Sequence, residues 1–330
     1  MRFPSYFKSL LILILFLSFS LKAQKKEIFN FDIPQKKVEA SKYSKIRIID
    51  VREDTTSIGV FQGKLHVLET PLETQIQRIV DGLNPDQAEK GALVLYVKRL
   101  AFAGGDSGNY IHFQGYLFSR NSNGKYSPID KADEIVKQSV FGSKKENYRR
   151  INETITGFIE KNLNRAPKII YSYSFEDLQN FIHVDKQQYP LFKDELKDGI
   201  YENYYRFKTQ YPSEIISDVK FAANPDKIYK VYYLKNAKKE SVDIKKTFAI
   251  VYKGQPYILV PDDNNYSKAT KREEEFYFIG NVNGKNQSFY MFYGLTGVLL
   301  GAILEPSVKY EFTLDYFNGN SIPVRKIERY

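Results

Sequence analysis

The three histidines are the first side chains to consider for metal or acid–base chemistry, because the chain contains no cysteine. His66, His112 and His183 are isolated, and none belongs to a His-x-x-x-His or His-Glu-x-x-His arrangement. A zinc site needs convergent ligands at set spacings. The sequence therefore predicts neither a metal site nor a cofactor. His112, between Ile111 and Phe113, is predicted to lie on the more polar face of a strand.

Motifs for nucleophilic catalysis and nucleotide binding are absent from the sequence. There is no Gly-x-Ser-x-Gly elbow for an activated serine and no Walker loop for a nucleotide. The glycine-rich stretch 104–109 lies between two predicted strands, whereas a phosphate cradle requires a helix N-terminus after the loop. We therefore interpret residues 104–109 as a flexible hairpin loop.

Carboxylates remain as candidates for acid–base chemistry, since the chain has 39 aspartates and glutamates. Adjacent acids occur near predicted turns, as Glu53-Asp54, Asp262-Asp263 and Glu273-Glu274-Glu275. A catalytic pair must face each other across a cleft, which spacing along the chain does not reveal. Residues 262–265 lack the spacing of a calcium loop and are predicted to form a solvated turn. No catalytic residue is assigned.

Tyrosines form two local clusters, and they are the residues on which a binding surface can be predicted. Basic residues lie near them in the sequence: Arg206, Lys208 and Lys230. Aromatic and basic side chains together are suited to binding a glycan or a peptide. The competing interpretation is that tyrosine is a strand former with a half-buried ring. The predicted binding surface consists of Tyr201, Tyr204, Tyr205, Tyr232 and Tyr233.

The first 23 residues predict export. Arg2 and Lys8 precede the apolar run Leu10–Leu21, and Ala23 supplies a small residue for cleavage, which is the order of a secretory signal peptide. The run is too short for a membrane span, which needs roughly 20 residues. We predict a protein of the periplasm, of the outer-membrane surface or of the medium. The alternative is an uncleaved N-terminal anchor, and no later transmembrane span is predicted.

The composition limits which partners are expected and which covalent or metal links could stabilise the fold. Without cysteine the chain has no disulfide, no thiolate and no lipid anchor on an N-terminal cysteine. The net charge of +10 is spread along the chain among acids, without a basic block, so we predict no nucleic-acid partner. A basic surface favours an anionic envelope polymer or membrane face. The alternative is a solvated surface with no such role.

The N-terminal half carries the patterns of two amphipathic helices packed on a sheet. Thr70-Pro71-Leu72-Glu73 has the order of a capping box, and apolar residues at helical spacing follow it as far as Leu83. Ser143 and Glu146 open a second such helix. Strands are predicted for 45–51, 92–102 and 110–118, with a hairpin turn at Asn123-Gly124. A helix with one apolar stripe must bury that stripe, which favours a sandwich of helices on one sheet.

The C-terminal half alternates short aromatic strands with turns such as Lys253-Gly254 and Asn318-Gly319, which is typical of an antiparallel β domain. The fold class predicted is therefore α+β, with an N-terminal helices-on-sheet sandwich followed by a mainly antiparallel β domain. The predicted divisions are a signal peptide over 1–23, a leader over 24–44, an α/β domain over 45–165, a connector over 166–197 and a mainly β domain over 198–330. The uncharged stretch Tyr290–Leu304 is either a core segment or a docking surface.

Two sets of residues resemble known groups of proteins. Asp198-Gly199-Ile200-Tyr201, then Phe207, Pro212-Ser213 and the ending Phe312–Gly319 resemble a module of uncharacterised exported proteins of Bacteroidota, although Phe248-Ala249-Ile250 replaces the usual Trp-Gly strand. This resemblance implies no known activity. Residues 48–52, with Ile58-Gly59 and the first helix, resemble small α/β domains of periplasmic lipoproteins, whose lipid-anchoring cysteine is missing here.

Two functions follow as hypotheses. The first is an exported, non-catalytic binding protein whose partner is an envelope protein or a glycan, supported by the leader, the aromatic β half and the absence of a catalytic motif. The second is an exported hydrolase of glycan or peptide that uses carboxylates as acid and base.

Overall fold

A computed structural model describes residues 25–61, 63–105, 108–138, 143–167, 171–193, 196–260, 264–281 and 309–327. The predicted signal peptide, the pair Asp262-Asp263 and the stretch Tyr290–Leu304 lie outside the described residues. The chain is α+β and rich in strands, and most of its strand pairs are antiparallel. None of the helices in the described ranges has the length and apolarity needed to cross a bilayer.

The first sheet has seven strands and is built around three long antiparallel ones. Its strands are β1 (Lys26–Phe29), β2 (Tyr43–Asp50), β3 (Ser57–Phe61), β4 (Lys64–Leu68), β5 (Gly91–Gly105), β6 (Gly108–Arg120) and β7 (Tyr126–Gln138). The order is β1-β4-β3-β5-β6-β7, and β2 lies parallel to the first half of β5. Strands β5 and β6 pair as far as Gly105 and Gly108, so Gly104, Gly105, Gly108 and Asn109, which the sequence predicts to lie in a loop, belong to strands.

Two helices, α1 (Leu72–Leu83) and α2 (Lys144–Glu160), bury their apolar stripes against one face of this sheet, as predicted. The predicted Thr70 cap is wrong, because Pro71 is the N-cap of α1 and no side chain caps that end. The side-chain amide of Gln75 donates to the carbonyl of Thr70. Ser143 does cap α2 by accepting from the amide of Glu146.

The segment 24–44, which is predicted to be a leader, contributes side chains to the core of the first sheet. Phe29, on β1, is fully buried and meets the ring of Tyr148 edge-on with the centroids 5.0 Å apart. Strand β1 pairs in parallel with β4, nearly 40 residues further along the chain. Phe29 and Phe31 of this segment therefore belong to the first core.

The connector covers the opposite face of the first sheet. It forms α3 (Phe175–Gln179), α4 (Phe181–Lys186) and a 3₁₀ turn at Pro190–Phe192. The ring of Phe181 lies 4.7 Å from that of Tyr116 and 5.0 Å from that of Phe118, both on β6. Both faces of β6 are therefore buried.

Two further antiparallel sheets follow. Their strands are β8 (Gly199–Tyr201), β9 (Ile216–Phe221), β10 (Lys227–Lys235), β11 (Lys238–Ser241), β12 (Ala249–Tyr252), β13 (Gln255–Val260), β14 (Asn265–Lys268), β15 (Thr270–Arg272), β16 (Glu275–Asn281), β17 (Lys309–Leu314) and β18 (Ser321–Lys326), with α5 (Tyr204–Lys208) after β8. One sheet has the order β11-β10-β14-β13-β12-β8 with β9 beside β10, and the other β15-β16-β17-β18. Lys253-Gly254, with φ of 53° and 74°, makes the predicted tight turn.

Candidate functional site

Two of the five tyrosines predicted to form a binding surface are buried. Tyr201 has no exposed surface, and its hydroxyl donates to the carbonyl of Lys197 at 2.5 Å and to Gln210 Oε1 at 3.0 Å. Tyr204 is 9% exposed and packs with Phe248. Both therefore belong to the core of the C-terminal half, because their apolar ring faces are better placed against other aromatic rings than in water.

The other three tyrosines lie nearer the surface but do not share one face. Tyr205, on α5, is 70% exposed. Tyr233 directs its hydroxyl to Glu240 Oε2 at 3.1 Å, whereas its neighbour Tyr232 lies on the other face of β10. The five tyrosines therefore do not form one surface. Of the five, Tyr232 is the one that lies among lysine side chains.

Tyr232 is surrounded by three lysines on the outer face of β9, β10 and β11. The ammonium nitrogens of Lys239, Lys230 and Lys220 lie 4.4, 5.3 and 5.9 Å from the centre of its ring. These distances are within the range of cation–π attraction. Lys220 and Lys230 are exposed, and the side chain of Lys239 is 48% exposed.

Strand register brings these residues together. Lys230 is paired with Lys220 and Tyr232 with Asp218 across β9 and β10, while Leu234 is paired with Lys239 across β10 and β11. Side chains on paired positions point to the same face of a sheet. We call the five residues Lys220, Lys230, Tyr232, Leu234 and Lys239 the Lys–Tyr face.

The electrostatics of the Lys–Tyr face favour anions. Burial acts to raise the pKa of Tyr232, but the nearby ammonium groups of Lys230 and Lys220 lower that pKa below its usual value. Asp218 is the acid on this face, and it pairs with Lys239 at 2.6 Å. Two like charges directly opposite each other on adjacent strands repel, so Lys220 and Lys230 gain from an anion placed between them.

Sequence reasoning identified Tyr232 and Lys230 but missed Lys220, Leu234 and Lys239. The signal available was the alternation of Lys230 and Tyr232 along one strand. The lysines that complete the face come from strands whose pairing and bulges the sequence does not fix.

The histidines have separate environments. His66 accepts from the hydroxyl of Tyr148 at Nδ1, 2.8 Å away, inside the first core. His112 lies on the face of β6 opposite to the apolar Ile111 and Phe113, as predicted, but it is fully buried, with Nε2 3.1 Å from Asp133. Burial lowers the pKa of both of these imidazoles. Nowhere in the described ranges do His, Asp and Glu side chains group in a way that could hold a metal ion.

A buried lysine lies in the junction between the two halves. Burial lowers the pKa of Lys208 to about 7, and its ammonium nitrogen is 3.8 Å from the ring centres of both Tyr189 and Tyr316. Next to Tyr316 is a cavity of about 10 Å³, which has room for about one water molecule. Lys208 itself is only 7% exposed, and it is closed off from any substrate.

A groove of about 470 Å³ lies where β2 ends and α1 begins. Asp50, Glu69 and Glu73 line it with three threonines and an apolar floor. Asp50 accepts two hydrogen bonds from the Arg52 guanidinium, and Glu73 accepts from the backbone amide of Ile48 at 3.1 Å. These carboxylates hold the open edge of β2 and the following turn.

Acids from two of the clusters singled out in the sequence have structural partners as well. Asp54 accepts from Thr56 and Ser57 in the turn before β3, and Glu274 lies 2.8 Å from His183. Glu275 pairs with Lys186. These pairs stabilise turns and element ends.

Comparison with known proteins gives little similarity. No protein family matches the chain, and no curated protein matches it. A solved structure described as an uncharacterized protein is 9% identical, covering 42% of this chain and 97% of its own, with a TM-score of 0.27. Similarity at this level supports no argument about fold or activity.

Proposed function

We propose that this chain is an exported, non-catalytic protein of the cell envelope or the medium, and that it binds its ligand through the Lys–Tyr face. The observation that carries the proposal is the convergence of three lysine ammonium groups on one half-buried tyrosine, Tyr232. Its ligand is an anionic envelope component. Residues 45–165 and 198–330 are the two units of this protein, and 166–197 connects them.

Three features support this assignment. Lysine side chains on an exposed sheet face lose rotamer freedom when they are gathered around one ring, and an anion offsets that loss. The groups in the junction, such as Lys208, are sealed from solvent. Two of the three carboxylates of the groove, Asp50 and Glu73, are held by the Arg52 guanidinium and by the backbone amide of Ile48.

The test is cosedimentation of the purified protein with envelope fragments from the native cells. We expect the triple variant K220Q/K230Q/K239Q to bind much more weakly than the wild type, and the binding of the wild type to fall as salt rises. The matched control is K36Q/K125Q/K253Q, which removes the same charge at exposed positions elsewhere. Equal binding by the wild type and K220Q/K230Q/K239Q, or no binding at all, would overturn the proposal.

The alternative proposal is an exported hydrolase of glycan or peptide, and the groove is the observation that favours it. Three carboxylates and three threonine hydroxyls share a groove large enough for a small substrate. Glu69 is the acid to test first, because it is exposed. Release of reducing ends or of free amines from envelope polymers by the wild type, abolished in Glu69→Gln, would favour this alternative.

A further inference from the structure

We propose that the hairpin formed by β10 and β11 docks on an anionic membrane surface, with its lysines at the phosphate headgroups and Leu234 in the interface. The inference rests on the proposed binding function and names the partner of the same face. The partner is a lipid surface rather than a soluble anion, because the hairpin combines positive charge with an exposed aliphatic side chain.

Leu234 is the residue that distinguishes a lipid surface from a soluble polyanion. Its side chain is 60% exposed, and its cross-strand partner Lys239 is exposed as well. An aliphatic side chain flanked by lysines is the composition of protein segments that lie in the membrane interface. Contact with a polysaccharide would give the Leu234 side chain no apolar partner.

Tyr232 is placed less well for a sugar than for an interface. A sugar ring stacks on an open aromatic face, but three ammonium groups occupy the space around this ring. Tyrosine is enriched at the headgroup level of membranes, where one end of the side chain is apolar and the other is wet. Lys220 and Lys230 have exposed side chains that can turn towards phosphate oxygens, whereas Lys239 is paired with Asp218.

The shape of the hairpin allows it to reach a flat surface. Strand β11 is the outermost strand of its sheet, and all four of its residues are exposed. Asn236 and Ala237 form the turn, with φ of 50° and 60°. At the tip, Lys235 and Lys238 are paired on the face opposite to Leu234 and Lys239, so lysines lie on both faces of the hairpin.

The charge of the hairpin region matches an anionic leaflet. Five exposed lysines belong to it: Lys220, Lys230, Lys235, Lys238 and Lys239. Two acids, Asp218 and Glu240, accompany them, and each bonds to a neighbour on the same sheet. A lysine close to an anionic bilayer strengthens binding about fivefold, an effect that falls off within a Debye length.

The experiment is flotation of the purified protein with two kinds of vesicle. One kind contains phosphatidylcholine alone, and the other also contains roughly 30 to 40% phosphatidylglycerol. We expect binding to the anionic vesicles only, weakened about 25-fold in K230Q/K239Q, by about fivefold for each lysine lost. Leu234→Ser should weaken binding at every salt concentration, because it removes apolar contact rather than charge. Ile28→Ser is the matched control, since Ile28 is also 60% exposed but lies on β1.

The outcomes separate the lipid surface from the binding function itself. Binding to anionic vesicles that Leu234→Ser weakens and Ile28→Ser does not supports the inference. Cosedimentation with envelope fragments but no binding to anionic vesicles would overturn the lipid inference and leave the binding function standing. A loss of vesicle binding upon addition of millimolar inorganic phosphate would indicate recognition of a free anion and would also overturn it. Absence of both kinds of binding would overturn both proposals.

Discussion

The side-chain amide of Gln114, in the middle of β6, donates to the buried carboxylate of Asp315 at 3.0 Å, across 201 positions of the chain. The other oxygen of that carboxylate lies 2.8 Å from the ammonium of Lys98, on β5. Asp315 begins the turn after β17 and also accepts from the amide of Phe317. A single buried acid therefore joins the first sheet to the last one.

Replacing Asp315 with Ala should destabilise the protein by about 3 kcal/mol or more, because it leaves Lys98 without its buried partner. Burial raises the pKa of Asp315, but Lys98 and the hydrogen bonds outweigh it and hold that pKa below its usual value. This contribution to stability is therefore present above the unfolded pKa of about 4 and is lost as pH falls through the folded pKa. Urea unfolding at pH 7 measures the loss. Asp86→Ala, which removes an exposed partner of Lys37, should change little, and equal losses in the two variants would contradict the assignment.

Lys208 predicts a second pH dependence, of the same sign but in a higher pH range. Its folded pKa of about 7 is depressed from the usual 10.5, so the unfolded chain binds more protons between these values, and stability should rise with pH from about 7 towards 9. Lys208→Met keeps the length of the side chain and removes the titration. We expect the variant to have the higher Tm at pH 6.5 and a clearly smaller advantage at pH 9, since the wild-type penalty falls steadily between the folded and the unfolded pKa.

The same slope of Tm against pH in the wild type and in Lys208→Met would contradict this account. Asp185, Lys186 and Lys131 face the same junction, and they remain in both proteins. They therefore cancel in the comparison.

The two buried histidines predict acid sensitivity. Burial lowers the folded pKa of His66 and His112, so the unfolded chain takes up protons first as pH falls below about 6.5, and stability declines there. His112→Gln should show a shallower loss of stability between pH 7 and 5 than the wild type. Urea unfolding at several pH values across this range measures both curves, and equal slopes in the wild type and in His112→Gln would contradict this account.

Local patterns were sufficient to predict the elements whose signals lie within one turn or one hairpin. Apolar spacing predicted α1 and α2, and residue types with access to positive φ predicted the turns at Gly124, Lys253-Gly254 and Gly319. The cap of α1 could not be predicted, because both Thr70 and Pro71 fit the first positions of a helix. The candidate site could be predicted only in part, since the lysines around Tyr232 come from three strands whose register depends on bulges.

Strand β1 could not be predicted from the sequence either. Its four residues pair with β4, which begins at Lys64, and no local pattern indicates this pairing. It also gives the sharpest test of the N-terminal segment. Phe29→Ala should destabilise the protein by about 3 to 5 kcal/mol, because the ring is fully buried against Phe31, Phe102 and Tyr148. Ile28→Ala, at the adjacent and 60% exposed position, should stay within about 0.5 kcal/mol. Equal and small effects in thermal unfolding would mean that residues 26–31 are a detached arm. A large effect at Phe29 alone means that the fold is complete only when this strand is in place.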